Sequence, residues 1–384
     1  MTGLRFSLCE LPPSVAVLRD EVRAFLADAS CDWSPEQLAH SWTLPNRSFS
    51  KQLALRGWVG MTWPKQYGGH ERSALERYVV LEELLAAGAP CGFHWIADRQ
   101  SGPLLLRIGN DEQRKLVPGI ASGDLSFCIG MSEPDAGSDL AAVRSRATRV
   151  DGGWRLNGRK IWTTNAQHAD YMIALFRSGG AETARHQGLS QFIVDMRSSG
   201  LEVRPIRDLT GEEDFNEITF DDVFVPDQML VGAEGNGWQQ VISELTLERS
   251  GPERYLTSFP LLAEAVRTAR SDPALAGDRS VEESLGGLIA QHAVLRQMSL
   301  AVAGMLNQGE DPAIEAAVVK DLGNSLEQQV PEAIRILLDA PSGSSELPAH
   351  RMLSFLVQAA PSFSLRGGTR EVLRGIIARG LGLR

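Results

Sequence analysis

Apolar residues recur at spacings of three and four through residues 14–27 and 78–87, with charges between them, so both stretches are predicted as amphipathic helices. Gly68-Gly69 and residues 88–92 punctuate this region. A further helix is expected over 111–117, with Asn110 or Asp111 as its N-cap. From Leu125 the pattern changes to short β-rich runs at 171–176, 190–194, 201–206 and 216–225. Within 154–162, an Asn157-Gly158 turn is expected between two strands. No helix-length pattern intervenes, so the reading is antiparallel β without βαβ units. After Gly237 the helical period returns at 238–249, 256–270, 281–305, 312–338 and 370–381. Pro312 suits a first helical turn, and Pro331 is expected to kink or break the fourth of these. The order helical, β, helical predicts an α+β chain: a helical domain at 1–124, an antiparallel β domain at 125–236 and a helical bundle at 237–384.

Composition narrows the function classes. The chain has 384 residues, 43% of them hydrophobic, enough for a large core. A net charge of −10 argues against nucleic acid or an anionic membrane as partner. Its four cysteines lie far apart with no CxxC pair, which reads as reduced thiols in a cytoplasmic protein. Neither a signal peptide nor an 18-residue apolar span is expected. Neither GxGxxG after a strand, GxxxxGK[ST], G-x-S-x-G nor a metal-spaced histidine pair occurs, so Rossmann, P-loop, hydrolase and metal readings lack their signatures.

Two blocks carry the candidate chemistry. Residues 127–140 read FCIGMSEPDAGSDL, a loop whose Pro134, Gly137, Ser132 and Ser138 expose backbone N–H groups able to meet carbonyls or phosphates. Residues 158–170 read GRKIWTTNAQHAD. The first block resembles one signature of the acyl-CoA dehydrogenase family, and the second resembles its K-x-W-x-T signature. Residues 58–69 (WVGMTWPKQYGG) and 219–238 are similar to further parts of the same family, so the likeness spans nearly the whole chain. The resemblance implies the three-domain fold of that family and an FAD cofactor. It implies that Met131, Ser132, Gly137, Ser138, Trp162 and Thr164 contact the cofactor. Ser132 matches the hydroxyl at the pyrimidine end of the flavin, Ser138 a residue near the diphosphate, which also faces substrate, and Trp162 the indole packed on the ring. Thr164 matches the hydroxyl near N5, where a donor stabilises charge as hydride arrives.

The reaction implied is α,β-dehydrogenation of an acyl thioester, which needs a carboxylate base with a raised pKa. In many members that base precedes a G-T pair near the C-terminus. Here 364–374 reads SLRGGTREVLR, which puts Gly367 at that position beside Gly368. Glycine cannot take a proton, and Glu371 reads as a helix-surface residue. Other branches carry the base earlier, in an L-E-R context, which matches Glu248 in TLERS, with Arg249 matching the substrate-side arginine. Glu244, one turn back, would raise the pKa of Glu248, and Pro252 would kink the helix there. The alternative is that ERSGPERY forms a solvated charged turn.

The motifs by which homotetrameric relatives hold a neighbour's FAD are missing from 270–291 and 337–353. A heteromeric α2β2 enzyme is therefore expected, its second acyl-CoA dehydrogenase-like subunit supplying the adenosine-side contacts. That pattern, with the G-G-T-x-E-V run at 367–372, resembles the heterotetrameric steroid-degradation members, where Gly367 and Gly368 would leave room for a bulky acyl group. Electron-transfer flavoprotein is the acceptor the family implies. Two alternatives stay open: an accessory subunit completing a partner's site, and a flavin oxidase or acyl-carrier-protein dehydrogenase on the same scaffold.

Overall fold

The computed structural model describes residues 4–179, 185–248, 251–338 and 347–383, and for 245–248 the backbone alone. In chain order the helices are α1 (Ser14–Ala29), α2 (Pro35–His40), α3 (Arg47–Leu55), α4 (Ala74–Ala86), α5 (Gly102–Ile108), α6 (Asp111–Arg114) and α7 (Val117–Ala121). Strands follow: β1 (Phe127–Gly130), β2 (Arg146–Val150), β3 (Gly153–Thr164), β4 (Tyr171–Arg177), β5 (Leu189–Asp195), β6 (Leu201–Ile206) and β7 (Phe215–Pro226). The chain continues with α8 (Gly237–Glu248), α9 (Phe259–Ser271), α10 (Arg279–Asn307), α11 (Ala313–Leu337), α12 (Pro348–Ala359) and α13 (Arg370–Gly380). Among the described residues no helix is long and apolar enough to cross a membrane, and no cluster of metal-ligating side chains occurs.

The chain divides into two compact units. One holds residues 1–42, 73–90 and 249–384 and is helical. In it α4 packs on α1 and α10, and α11 packs on α10, α9 and α13. Val15, Leu75, Tyr78, Val79, Leu300 and Ala303 form one of its buried clusters, each on the apolar stripe of its helix. α4 starts at a capping box in which Ser73 and Glu76 satisfy each other's backbone N–H groups.

The second unit, 43–72 and 91–248, is built around a seven-stranded sheet. The strand order is β1-β4-β2-β3-β7-β6, with β5 also paired to β4. Trp154, Leu156, Phe176, Phe192, Ile218 and Phe220 fill one side of it. The helices α5 and α7 cover the other side, where Leu104, Leu105 and Ile120 share a buried cluster with Phe127 of β1 and Ile173 of β4. Asn110 caps α6 by accepting from the Gln113 N–H, as its sequence position suggests.

Three local expectations are corrected. Asn157-Gly158 is not a hairpin turn, because β3 runs through it. The register against β7 shifts between Leu156 and Gly158, a β-bulge. Gly158 sits at φ +141°, and a Cβ there would collide with the Ser145 side chain, so the bulge requires glycine. The hairpin turn lies earlier, at Asp151-Gly152, between Val150 and its partner Gly153. Second, the sheet is not wholly antiparallel, since β1 runs parallel to β4. Third, Pro331 does not break α11, which continues to Leu337. Pro331 and its neighbour Val330 are buried, and the packing of this long helix outweighs the one backbone bond that proline removes.

Candidate active site

The two motif blocks come together in the sheet unit. The loop after β1 begins with Met131 and Ser132, both half-buried, and ends with Gly137, Ser138 and Asp139, all exposed. It is folded on itself by paired backbone bonds between Glu133 and Ala136. Ser132 O accepts from Ile161 N at 2.9 Å, so the loop lies directly against β3.

A buried ion pair fixes this contact. Lys160 Nζ lies 2.8 Å from Glu133 Oε1 and also donates to Met131 O at 3.2 Å. Its ammonium sits 5.0 Å from the centre of the Phe176 ring. The second Glu133 oxygen accepts from Arg144 N, and Oε1 also accepts from Ser145 N. Burial pushes the Glu133 carboxyl up, but the Lys160 charge and these N–H donors outweigh it and hold the carboxyl below its ordinary range. Burial also pushes the Lys160 ammonium down to about 8, against the pull of Glu133. Neither residue figured among the candidates from sequence. The signal was present: Trp154, Leu156, Gly158 and Lys160 share one face of β3, and a lysine on an apolar face requires a buried counter-charge.

Trp162 follows at once. The β3–β7 register shifts a second time between Lys160 and Thr163, and Trp162 sits in that irregularity at φ +60°. A left-handed conformation at a bulky residue costs about 1–3 kcal/mol and persists where the surroundings impose it. Its effect is to turn the indole outward: Trp162 is 57% exposed, braced edge-on by Phe215 at 6.1 Å. Thr164, half-buried, pairs in register with Phe215. Asn165, also left-handed at φ +54°, closes the segment by donating from Nδ2 to Thr43 O at 2.8 Å.

Helix α8 is attached to the same sheet. Gly237 approaches β5 so closely that a Cβ would stand 2.8 Å from the Leu189 carbonyl. Val241 packs with Ala136, Val143, Leu175 and Leu189, the cluster that backs the loop. Gln191 Nε2 donates to Glu244 Oε1 at 2.8 Å, and Glu244 is only 2% exposed. Through Oε1, Glu244 is tied to β5. Glu248 is the last residue of α8; its side chain and all of Arg249 lie outside the described residues. Beyond them, Pro252–Arg254 forms a 3-10 turn in which Glu253 and Arg254 are 1% and 0% exposed, so this part is no solvated charged turn.

Gly367 and Gly368 belong to the helical unit, at φ +67° and +103°, between the 3-10 segment Ala360–Ser364 and α13. Glu371 is exposed on the first turn of α13, as its sequence position suggests.

The sheet-unit arrangement fits a flat aromatic group with a polar rim and a phosphate tail. An exposed indole sits on a strained bulge, Thr164 lies two residues further along the same strand and Ser132 in the loop paired to Ile161, and the space over Gly137 is open, with nothing within 4 Å of an added Cβ.

Comparison with known proteins agrees with this geometry. Family models described as the acyl-CoA dehydrogenase N-terminal, middle and C-terminal domains match residues 13–124, 128–223 and 235–382. Acyl-CoA dehydrogenase FadE26 of Mycobacterium tuberculosis is 31% identical over 95% of this chain and 96% of its own length. FadE34 of the same organism is 32% identical, and there the chain spans about half (48%) of the longer relative. Among solved structures, the Tcur3481-Tcur3483 steroid ACAD aligns at TM-score 0.89 with 29% identity, covering 98% of this chain and 99% of that one. The ChsE4-ChsE5 complex from Mycobacterium tuberculosis aligns at 0.85 with 29% identity, covering 98% and 99%. The chain thus belongs to the acyl-CoA dehydrogenase family and has its α+β fold.

Proposed function

We propose that this chain catalyses FAD-dependent α,β-dehydrogenation of an acyl-CoA thioester, as one subunit of a heteromeric α2β2 enzyme. The observation that carries the reading is Trp162, an exposed indole locked in a strained bulge beside a loop that Glu133 and Lys160 hold in place. Residues that would hold FAD are Met131, Ser132, Gly137, Ser138, Trp162 and Thr164. When bound, FAD supplies the acceptor for the hydride leaving the β-carbon.

The chain's own residues do the rest. Trp162 covers one face of the ring and excludes water there. Thr164 and Ser132 offer hydroxyls to its polar rim, and Ser138 serves the phosphate and substrate side. Glu248 takes the α-proton, since Gly367 stands where many relatives place their base. By their place in the family motifs, Arg249, Gly367 and Gly368 are the proposed substrate-binding residues, and the small glycines suit a bulky group such as a steroid side chain. The relatives named steroid ACAD and the ChsE4-ChsE5 complex support the acyl class and the two-subunit assembly. Electron-transfer flavoprotein is the proposed acceptor and the cytoplasm the proposed location.

Co-expression with the gene product encoded beside this chain tests the assembly. The reading expects substoichiometric flavin in the chain purified alone and full occupancy in the complex; full occupancy alone would sink the α2β2 part.

A second reading, a non-catalytic subunit that completes a partner's site, is supported by Gly367. It expects Glu248→Gln to leave turnover unchanged.

A further inference from the structure

Resting on the proposal that Gly367 and Gly368 face the acyl group, the way their turn is held bears on how that group is bound. Two consecutive glycines in left-handed conformations carry little conformational preference of their own, so their path must be set from outside. Helix α11 sets it. Gln328 Nε2 donates to Ala360 O at 3.1 Å and to Ser364 Oγ at 3.2 Å. Glu327 meets Arg366 at 3.4 Å. Lys320 Nζ donates to Gly368 O at 2.8 Å. Asp321 pairs with Arg370 at 2.9 Å and with Arg374 at 3.4 Å. Positions 320, 321, 327 and 328 fall on one stripe of the helix, two turns apart. One helix face thus grips the segment 360–374 along its length.

These grips are not equal. The Asp321 pairs involve arginines that are 32% and 61% exposed, and such surface pairs hold weakly. Lys320 is fully buried, and its bond falls on the glycine turn itself. A charged donor to a carbonyl away from water is among the stronger hydrogen bonds. Immediately after it, Thr369 caps α13 by accepting from Val372 N, so the turn is pinned on one side and led into a helix on the other. We propose that Lys320 is a positioning residue for acyl binding. It holds the Gly367-Gly368 turn in the path that leaves room for a bulky acyl group.

The test uses the flavin-loaded complex carrying Lys320→Met or Lys320→Gln, with flavin content, melting temperature, kcat and KM measured for octanoyl-CoA and for a steroid-side-chain acyl-CoA. The expected result is a KM for the bulky thioester raised about tenfold, a smaller change for octanoyl-CoA, and kcat within about twofold with flavin retained. If Lys320→Met does not fold, Lys320→Gln, which stays polar in the buried site but is too short to reach Gly368 O, carries the same expectation. Unchanged KM for both thioesters, or parallel loss of kcat and flavin without a KM difference, overturns the proposal. A wild-type complex that oxidises neither thioester overturns the reading of the site, and this inference with it.

Discussion

Glu133 and Lys160, 27 positions apart in sequence, meet at 2.8 Å with side chains 8% and 0% exposed. Each sits beside a residue of the proposed flavin contact: Glu133 next to Ser132, Lys160 two before Trp162. The pair therefore ties the two blocks into one rigid element.

Breaking the pair is expected to be costly. Lys160→Met leaves the buried Glu133 without its counter-charge, with only the Arg144 and Ser145 N–H donors, a loss of about 3–5 kcal/mol. Urea unfolding should show it directly, and bound flavin should fall in the same variant.

The pair also sets a pH dependence. The folded Glu133 carboxyl titrates below its unfolded value, so its contribution is fully present above the ordinary glutamate value of 4.5 and is lost as pH falls through the lower folded value. Stability measured from pH 6 downward should decline less steeply in Glu133→Gln than in the wild type. That variant should also be less stable at neutral pH. Parallel profiles would remove this pair from the acid response.

Trp162 separates stability from function. Its left-handed backbone is unfavourable for tryptophan and free for glycine. Trp162→Gly is expected to leave the melting temperature of the flavin-free protein unchanged or higher. Flavin affinity should drop about tenfold, the equivalent of about 1.4 kcal/mol of lost ring packing. A large fall in melting temperature would mean that the indole serves the core instead.

Gly237→Ala tests whether α8 must lie close on β5. The added methyl meets the Leu189 carbonyl at 2.8 Å, and overpacking of this kind costs about 1–3 kcal/mol. Because α8 ends at Glu248, turnover should fall by more than flavin content does.

Much of this was legible in the sequence, and the failures are instructive. Helices α1, α10 and α13 follow their apolar periodicity, and the blocks at 131–139 and 160–165 do adjoin, through Ser132 and Ile161. Asn157-Gly158 misled because the dipeptide that makes a tight turn also suits a bulge, and only the neighbouring Ser145 decides between them. Pro331 carries a local cost that the sequence displays, whereas the packing along α11 that outweighs it is set by residues far away in the chain. The Glu133–Lys160 pair is not legible from either motif alone, because its partners lie 27 positions apart and only the sheet brings them together. Gln191 of β5, which donates to the Glu244 carboxylate, is a long-range partner that the helix pattern around Glu244 does not reveal.

The proposed roles of Glu248 as base and of this chain in holding the flavin ring meet in one step, reduction of the flavin by acyl-CoA. Anaerobic mixing of the co-expressed complex with acyl-CoA, followed by flavin absorbance in a stopped-flow instrument, tests it most directly. The wild type should bleach, and Glu248→Gln should retain its flavin yet bleach more slowly by several orders of magnitude. Bleaching of Glu248→Gln at the wild-type rate would contradict the account.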